Sequence, residues 1–349
     1  MSITQILGKK TIYGWTLNSS GIVNMFMLGL QGSPRKKGNT QFLLKTFMNE
    51  AEELGARTHL IEVAEKNIIP CKGCGFCEKK GYCITQDDDM TLEIYTLLRE
   101  ADVIVAASPI YFYNVTAQLK ALIDRSQTLW SRKYRLNVED PGGKMRRGYL
   151  LALGATKGKN LFEGVNLTAQ YFFDAVAARY EGSLTYWRVE HRGDMEKHPT
   201  VRDEVRDAVA GLLKPFLARK TILFVCRENA CRSQMASAFT QYLDGDKIEA
   251  LSAGSEPADN INPDMVKTMQ EKGIDMAFRR TRSLNQAVSE LQPDMIISMG
   301  CQEECPVIPG AQTLDWDLPD PAGKSMEFMR SVRDEIENRV KNLVSSIAT

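Results

Sequence analysis

The chain has 349 residues, with 44 Lys and Arg against 44 Asp and Glu, 43% hydrophobic and 25% charged content. That length exceeds one ordinary core and predicts two domains. The zero net charge gives no reason to expect a nucleic acid, and without an apolar run near about 18 residues no membrane span is expected. Residues 1–22 carry Lys9 and Lys10 but neither a continuous apolar stretch nor a small-residue cleavage site. They read as an N-terminal extension rather than a secretory signal, and a cytoplasmic location is expected.

From residue 25 onward, short apolar runs alternate with helical patterns. MFMLGL (25–30), HLIEV (59–63), DVIVAAS (102–108), GYLLALG (148–154) and LTYWRVE (184–190) read as buried strands. The segment NTQFLLKTFMNEAEEL (39–54) between the first two puts Leu43, Phe47, Ala51 and Leu54 on one helical face. Repeated strand–helix–strand units predict an α/β, doubly wound parallel sheet covered on both faces. VRDEVRDAVAGLLKPFLARK (201–220) reads as a long helix stopped or kinked near Pro215. A second cycle begins with TILFV (221–225), continues through IEALSA (248–253) and DMIISMG (294–300), and closes on a helix over about 325–345. The boundary is placed at 217/218, with no Gly/Ser linker, so the two units are expected to pack side by side.

The eight cysteines fall in three groups: Cys71, Cys74, Cys77 and Cys83; Cys226 and Cys231; Cys301 and Cys305. Clusters of this kind in a large chain point to metal or redox chemistry, not to a secreted disulfide scaffold. In the first domain, LGLQGSPRKKGNTQFLL (28–44) leaves a strand through Gly, Ser and Pro and enters a helix. Ser33, Arg35, Asn39 and Thr40 are phosphate donors in such a cradle at a helix N-terminus. After the third strand, ASPIYFYNV (107–115) offers Tyr111, Phe112 and Tyr113 to pack on a flat ring. Together these stretches resemble NADPH-dependent FMN reductases and iron–sulfur flavoproteins over residues 23–195. The resemblance implies a flavodoxin-like fold, FMN and NAD(P)H as cofactors, and Pro109 and Asn114 as further flavin-site residues.

PCKGCGFCEKKGYC has the spacing C-x2-C-x2-C-x5-C. Its first three thiolates suit compact ligation of a 4Fe-4S cube. Redox-active or structural thiols, and a zinc knuckle, remain alternatives, although zinc normally wants a longer gap between CxxC halves. His59 is expected to be a packed core residue, and DDDM (87–90) a helix N-cap. Trp130 and Tyr134 read either as a lid over the flavin or as part of a solvated loop.

In the second domain, VCRENACRSQM (225–235) joins a strand to a helix through a C-x5-R loop. A loop of this length can curl its backbone N–H groups inward, beside a helix N-terminus, into an anion cradle. Arg232 can then fork onto a tetrahedral oxyanion. The same donors favour the thiolate of Cys226 and make it a nucleophile, with Ser233 placed to donate to the sulfur. Cys231 reads as a packing residue, and Glu228 is expected to point outward. VCRENACRSQMASAF, LSAGSEP and DWDLPDPAGK together resemble the low-molecular-weight phosphatase fold, in its arsenate-reductase branch, over 219–349. The resemblance implies arsenate as substrate, Cys226 as attacking thiolate, Asn229 and Ser233 as residues that order the loop, and Asp320 as general acid. Cys301 is then the resolving thiol and Cys305 passes the disulfide outward, with their C-x3-C spacing leaving the order of the two open. A thioredoxin-like reductant and a homo-oligomer are the partners it suggests. A tyrosine-directed phosphatase, which needs only Cys226, Arg232 and Asp320, is an alternative; so is a flavin reductase or iron–sulfur electron carrier.

Overall fold

The computed structural model describes residues 11–12, 15–16, 25–290, 292–300 and 308–347. Within the N-terminal extension, β1 (Thr11–Ile12) pairs antiparallel with β2 (Trp15–Thr16). The first large unit then runs β3 (Phe26–Gln31), α1 (Asn39–Glu53), β4 (Arg57–Glu62), α2 (Phe76–Lys80), a π turn Met90–Ile94, and α3 (Tyr95–Glu100). It continues β5 (Val103–Pro109), α4 (Ala117–Arg125), α5 (Gln127–Tyr134), β6 (Arg147–Leu153), α6 (Glu163–Ala175), β7 (Arg179–Tyr186) and α7 (Val201–Leu213). The second unit is β8 (Lys220–Cys226), α8 (Arg232–Asp244), β9 (Ile248–Gly254), α9 (Pro263–Gln270), α10 (Leu284–Glu290), β10 (Met295–Ser298), β11 (Gln312–Asp315) and α11 (Met326–Ile347).

The five strands β4-β3-β5-β6-β7 are parallel throughout, in the flavodoxin-like order 2-1-3-4-5 when counted from β3. The four strands β11-β10-β8-β9 form a second, separate parallel sheet. The central strands β3 and β6 are buried at every residue, which is why they read as continuous apolar runs. The edge strands β4 and β7 are mostly part-exposed instead. His59 lies on edge strand β4 and is exposed, so it is not the core residue its neighbours suggested. β7 starts five residues before the apolar run at Leu184, because an edge strand needs only alternate apolar positions. The helix expected over 201–220 ends at Leu213, where Pro215 opens a 3₁₀ turn, Lys214–Phe216. The exposed strand β11 had no apolar signature to betray it.

Buried ion pairs hold the units together. Asp275, whose side chain has 0% accessibility, accepts from Arg99 Nη2 at 2.5 Å and Arg132 Nε at 2.7 Å. The Glu139 N–H donates to the Gly273 carbonyl at 2.8 Å, and the Asp275 N–H donates back to the Glu139 carbonyl at 2.8 Å. Arg219, in the junction, pairs with Asp102 at 3.0 Å and Glu249 at 2.7 Å. These first-unit residues gather at the N-terminal ends of β5 and β6, opposite the ends from which the flavin-cradle loops leave.

Candidate functional site

The C-x5-R loop leaves β8 at Cys226 and enters α8 at Arg232. Its carbonyls are drawn outward. Those of Cys226, Arg227, Glu228 and Ala230 accept from the N–H groups of Ser255, Glu256, Ala258 and Asn262. The N–H groups of Glu228 to Ser233 find no acceptor among the described residues, so the cradle keeps its donors for a ligand. The 255–262 segment can lie this close because of Gly254: a Cβ there would sit 2.6 Å from the Arg227 carbonyl oxygen and 2.8 Å from the Asn229 nitrogen. Asn229 takes φ +52°, the left-handed region that Asn tolerates better than most residues.

Cys226 and Ser233 are buried, with Sγ and Oγ 3.0 Å apart. Asn229 Nδ2 donates to Ser233 Oγ at 2.8 Å. Arg232 is buried; its Nη1 donates to the Leu318 carbonyl at 3.0 Å and its Nη2 pairs with Asp320 Oδ2 at 3.3 Å. Its Nε is buried without a partner among the described residues, a donor left over for an oxyanion. Gly300, at φ +77°, gives the guanidinium room: a Cβ would lie 3.0 Å from Nη1. The Asp320 side chain is about half exposed, at 52%, and so links the cradle to solvent. Cys231 is buried, and burial, with Cys226 and Asp320 nearby, pushes its thiol up to about 12. It is a neutral packing group. Glu228 is exposed. Cys301 and Cys305 lie outside the described residues.

The first sheet presents its own loop at the switch point between β3 and β5. The Gly32 N–H donates to the Ala107 carbonyl at 2.8 Å, and Thr116 Oγ1 donates to the Gly32 carbonyl at 2.6 Å. Ser33 and Thr40 are buried beside the start of α1, which has no side-chain cap and no acid in its first turn. Arg35 is exposed, its N–H held by Ser33 Oγ at 3.2 Å. The buried Gln31 Nε2 has no partner among the described residues, and it ends the central strand under this loop. An uncapped helix N-terminus, buried hydroxyls and an orphaned amide suit a phosphorylated ligand. The Asn39 side chain is engaged elsewhere: its Nδ2 donates to the His191 carbonyl at 2.8 Å, and its Oδ1 accepts from the Gly193 and Met195 N–H groups. Its amide ties α1 to the 191–195 loop.

Pro109 ends β5, and Tyr111 to Asn114 form a tight turn whose ends exchange backbone hydrogen bonds at 2.9 and 3.0 Å. Both central residues are left-handed, Phe112 at φ +48° and Tyr113 at φ +64°. Glycine or asparagine normally fills such positions. Phe112 is fully exposed at 103%, an aromatic side chain held on strained backbone in water. Tyr113 is about half exposed and lies against the next loop, with its hydroxyl 3.0 Å from where a Cβ on Gly158 would stand. Trp130 and Tyr134 belong to α5 and stack on each other at 5.4 Å, with the Tyr134 hydroxyl on the Asp174 carboxylate at 2.9 and 3.0 Å.

Cys71, Cys74, Cys77 and Cys83 all line one cavity of about 360 Å³. Gly73, Gly75 and Gly81 take φ of +63°, +66° and +75°, and let the chain coil tightly between thiols. Behind them, buried Asp88 pairs with Arg125, so the acidic run DDDM is an ion-pair anchor as well as a turn cap to Thr91. The donor set has the count and softness for an iron–sulfur cube. No three of the thiols are drawn close enough together to form a metal site among the described residues.

Sequence reasoning overlooked Gln31, Thr116, Gln234 and Arg279. Thr116 carries the N-cap signal before an apolar helix, and its Oγ1 accepts from the Leu119 N–H. The other three have no local signature.

An NADPH-dependent FMN reductase model matches residues 25–158, and a low molecular weight phosphotyrosine protein phosphatase model matches 221–349. An iron-sulfur flavoprotein of Methanosarcina thermophila is 33% identical over 52% of this chain and 87% of its own length. One from Methanocaldococcus jannaschii is 44% identical over 30% of this chain, a match that spans about half (53%) of that protein. The glutaredoxin arsenate reductase of Synechocystis is 36% identical over 37% of this chain and 99% of its own length. The chain thus joins two α/β enzyme modules. It belongs to the iron–sulfur flavoprotein family in its first half and to the arsenate reductases of the low-molecular-weight phosphatase superfamily in its second.

Proposed function

We propose that this chain is an arsenate reductase, in residues 218–349, joined to an NAD(P)H-dependent FMN oxidoreductase in residues 23–217. The observation that carries the reading is a buried thiol 3.0 Å from a hydroxyl, at the mouth of a loop whose carbonyls at Cys226, Arg227, Glu228 and Ala230 are tied outward. Arsenate would sit on the loop N–H groups and the Arg232 fork. Cys226 Sγ attacks arsenic(V), and Asp320 protonates the oxygen that leaves as water. The thiolate of Cys301 then attacks Cys226 Sγ. The arsenic–sulfur pair of electrons leaves with arsenic, now arsenite, and a Cys226–Cys301 disulfide remains. Attack by Cys305 on Cys301 frees Cys226, so two thiols have given two electrons. A tyrosine-directed phosphatase would use only the first of these steps.

Ser33, Thr40, Gln31 and the first turn of α1 would hold the flavin phosphate, with the aromatic turn 111–114 against the ring. FMN held there would supply hydride acceptance from NAD(P)H and electron transfer onward. The four-cysteine loop is our candidate for a 4Fe-4S cluster. The flavin cradle and the docked second unit lie at opposite ends of seven-residue strands, about 20 Å apart. The flavin cradle and the second unit are therefore set apart within one chain, and the cysteine loop or a thioredoxin- or glutaredoxin-like dithiol would carry electrons between them. An anaerobic assay with NADH or NADPH, FMN and no dithiol separates these: arsenite release above a Cys226→Ser control supports internal delivery, and none assigns reduction to an outside dithiol.

The reductase reading itself is tested by Cys301→Ser. It should abolish repeated arsenate turnover while hydrolysis of p-nitrophenyl phosphate continues. Arsenate turnover at the wild-type rate in this variant would remove the second thiol from the mechanism.

A further inference from the structure

The catalytic loop is tied to the seam between the units by side-chain hydrogen bonds whose direction the backbone fixes. The Arg280 carbonyl can only accept, so Gln234 Nε2 faces it, at 2.9 Å. That leaves Gln234 Oε1 to accept from Arg279 Nη1 at 3.3 Å, while Nε2 also donates to Asn229 Oδ1 at 3.2 Å. The Arg282 N–H can only donate, so Asn229 Oδ1 faces it, at 2.8 Å, and Asn229 Nδ2 is turned to Ser233 Oγ at 2.8 Å. When Cys226 is a thiolate its sulfur can only accept, so the Ser233 hydroxyl, fixed by Asn229, directs its own proton at Cys226 Sγ, 3.0 Å away. Every bond runs the same way, from guanidinium to sulfur.

The head of this run is unusual. The buried arginines Arg125, Arg132, Arg146, Arg147, Arg219, Arg232 and Arg333 each sit on a carboxylate. Arg279 donates to Gln234 Oε1, to Ser237 Oγ at 3.0 Å and to Gln241 Oε1, all neutral and all on α8. The carboxylates of Asp140, Glu100 and Asp275 and the guanidinium of Arg99 are near enough to act on its charge, but among the described residues none forms an ion pair with it. A guanidinium that spends its hydrogen bonds on neutral groups polarises the bonds it feeds, and a chain of aligned bonds strengthens its last donor.

We propose that Gln234 and Arg279 are positioning residues for Cys226: through Asn229 and Ser233 they aim a hydroxyl proton at the sulfur and favour its thiolate before the oxyanion arrives. This rests on the reading of Cys226 as the nucleophile. It adds that the field at the sulfur originates at the seam between the units. Arg232 and Asp320 face the loop from its other side, and Cys231 and Glu228 lie within it; the test leaves all four in place.

The experiment is the pH dependence of iodoacetamide alkylation of Cys226, read by mass spectrometry of its peptide from the full-length protein. Wild type, Gln234→Leu, Gln234→Glu, Arg279→Met and Arg279→Lys are compared. On the acid side of the curve Gln234→Leu and Arg279→Met should react about three- to tenfold more slowly, the net worth of one ordinary hydrogen bond in the run that feeds the sulfur. Their high-pH plateau should match wild type, and Arg279→Lys should recover part of the loss. Gln234→Glu, nearly isosteric but unable to donate to Asn229, should fall at least as far; it keeps the test alive if the apolar variants do not fold. Wild-type alkylation profiles in Gln234→Glu and Arg279→Met would overturn the proposal. Arsenite release by Cys226→Ser would instead sink the nucleophile reading and leave the alkylation result standing.

Discussion

The two sheets are built to one plan and finished differently. Each turns from an inner parallel strand, β3 or β8, into a ligand loop and a helix. In the second, the loop is buried, its carbonyls are tied back, and Asn229, Ser233 and Gln234 are wired to one another. In the first, the loop is open, and across from it stands a strained aromatic turn with Phe112 in water. A nucleophile has to be aimed before its small substrate arrives, so the second loop is held rigidly by its own hydrogen bonds. A large planar cofactor can complete its site on binding, so the first leaves an exposed ring on a strained turn for its ligand to cover.

The sharpest way to break that contrast is Cys226→Ser, which should abolish arsenite release and phosphate-ester cleavage together, with no change in FMN binding measured by titration. A loss of flavin as well would mean the sites are not independent. Next in size is Asp275→Ala, which leaves Arg99 and Arg132 without their shared carboxylate. Breaking a buried pair this way costs about 3–5 kcal/mol, read as a lower melting temperature and new proteolysis between the units. A variant as stable as wild type would mean the seam is held elsewhere.

The same network has a pH signature. Burial alone would raise the Asp140 carboxyl, but Arg146 and Arg99 beside it hold it well below the ordinary carboxylate range. A depressed acid stabilises the fold above its unfolded-state value near about 4 and loses that contribution as pH falls through the folded value. Asp140→Asn should therefore lower the melting temperature at neutral pH, with the gap to wild type closing below about pH 4. A gap independent of pH would assign the loss to packing.

Smaller effects probe the first loop. Ser33→Ala and Thr40→Ala should each weaken FMN binding by about 1.5–3 kcal/mol, as for a lost hydrogen bond to a charged group. Phe112→Gly should do the opposite to stability and affinity: it removes strain of about 1 kcal/mol and also the exposed ring. Unchanged melting temperature and unchanged FMN affinity in that variant would make the turn incidental.

Much of this was legible in the sequence because it rests on local patterns. The continuous apolar runs of β3, β5, β6 and β8, and the strand–loop–helix around Cys226, announce themselves within a dozen residues. Edge strands were read poorly, as at His59 and β7, because one face meets water and the apolar run is interrupted. The residues that aim the loop were not readable at all. Gln234 lies in a helix and Arg279 is 45 positions away, so only the fold brings them to 3.3 Å. Asn39 shows the reverse: its place at a helix start suggested a phosphate donor, and a loop about 150 residues later claims its amide.

The central claim is that two thiols of the second unit supply the electrons that reduce arsenic, and a single turnover tests it without any partner. The full-length protein, reduced, freed of reductant and kept anaerobic, is mixed with equimolar arsenate and quenched. The account predicts arsenite in stoichiometric yield and a new disulfide among Cys226, Cys301 and Cys305, mapped by mass spectrometry. Arsenate recovered unchanged, with all three thiols still free, would contradict it.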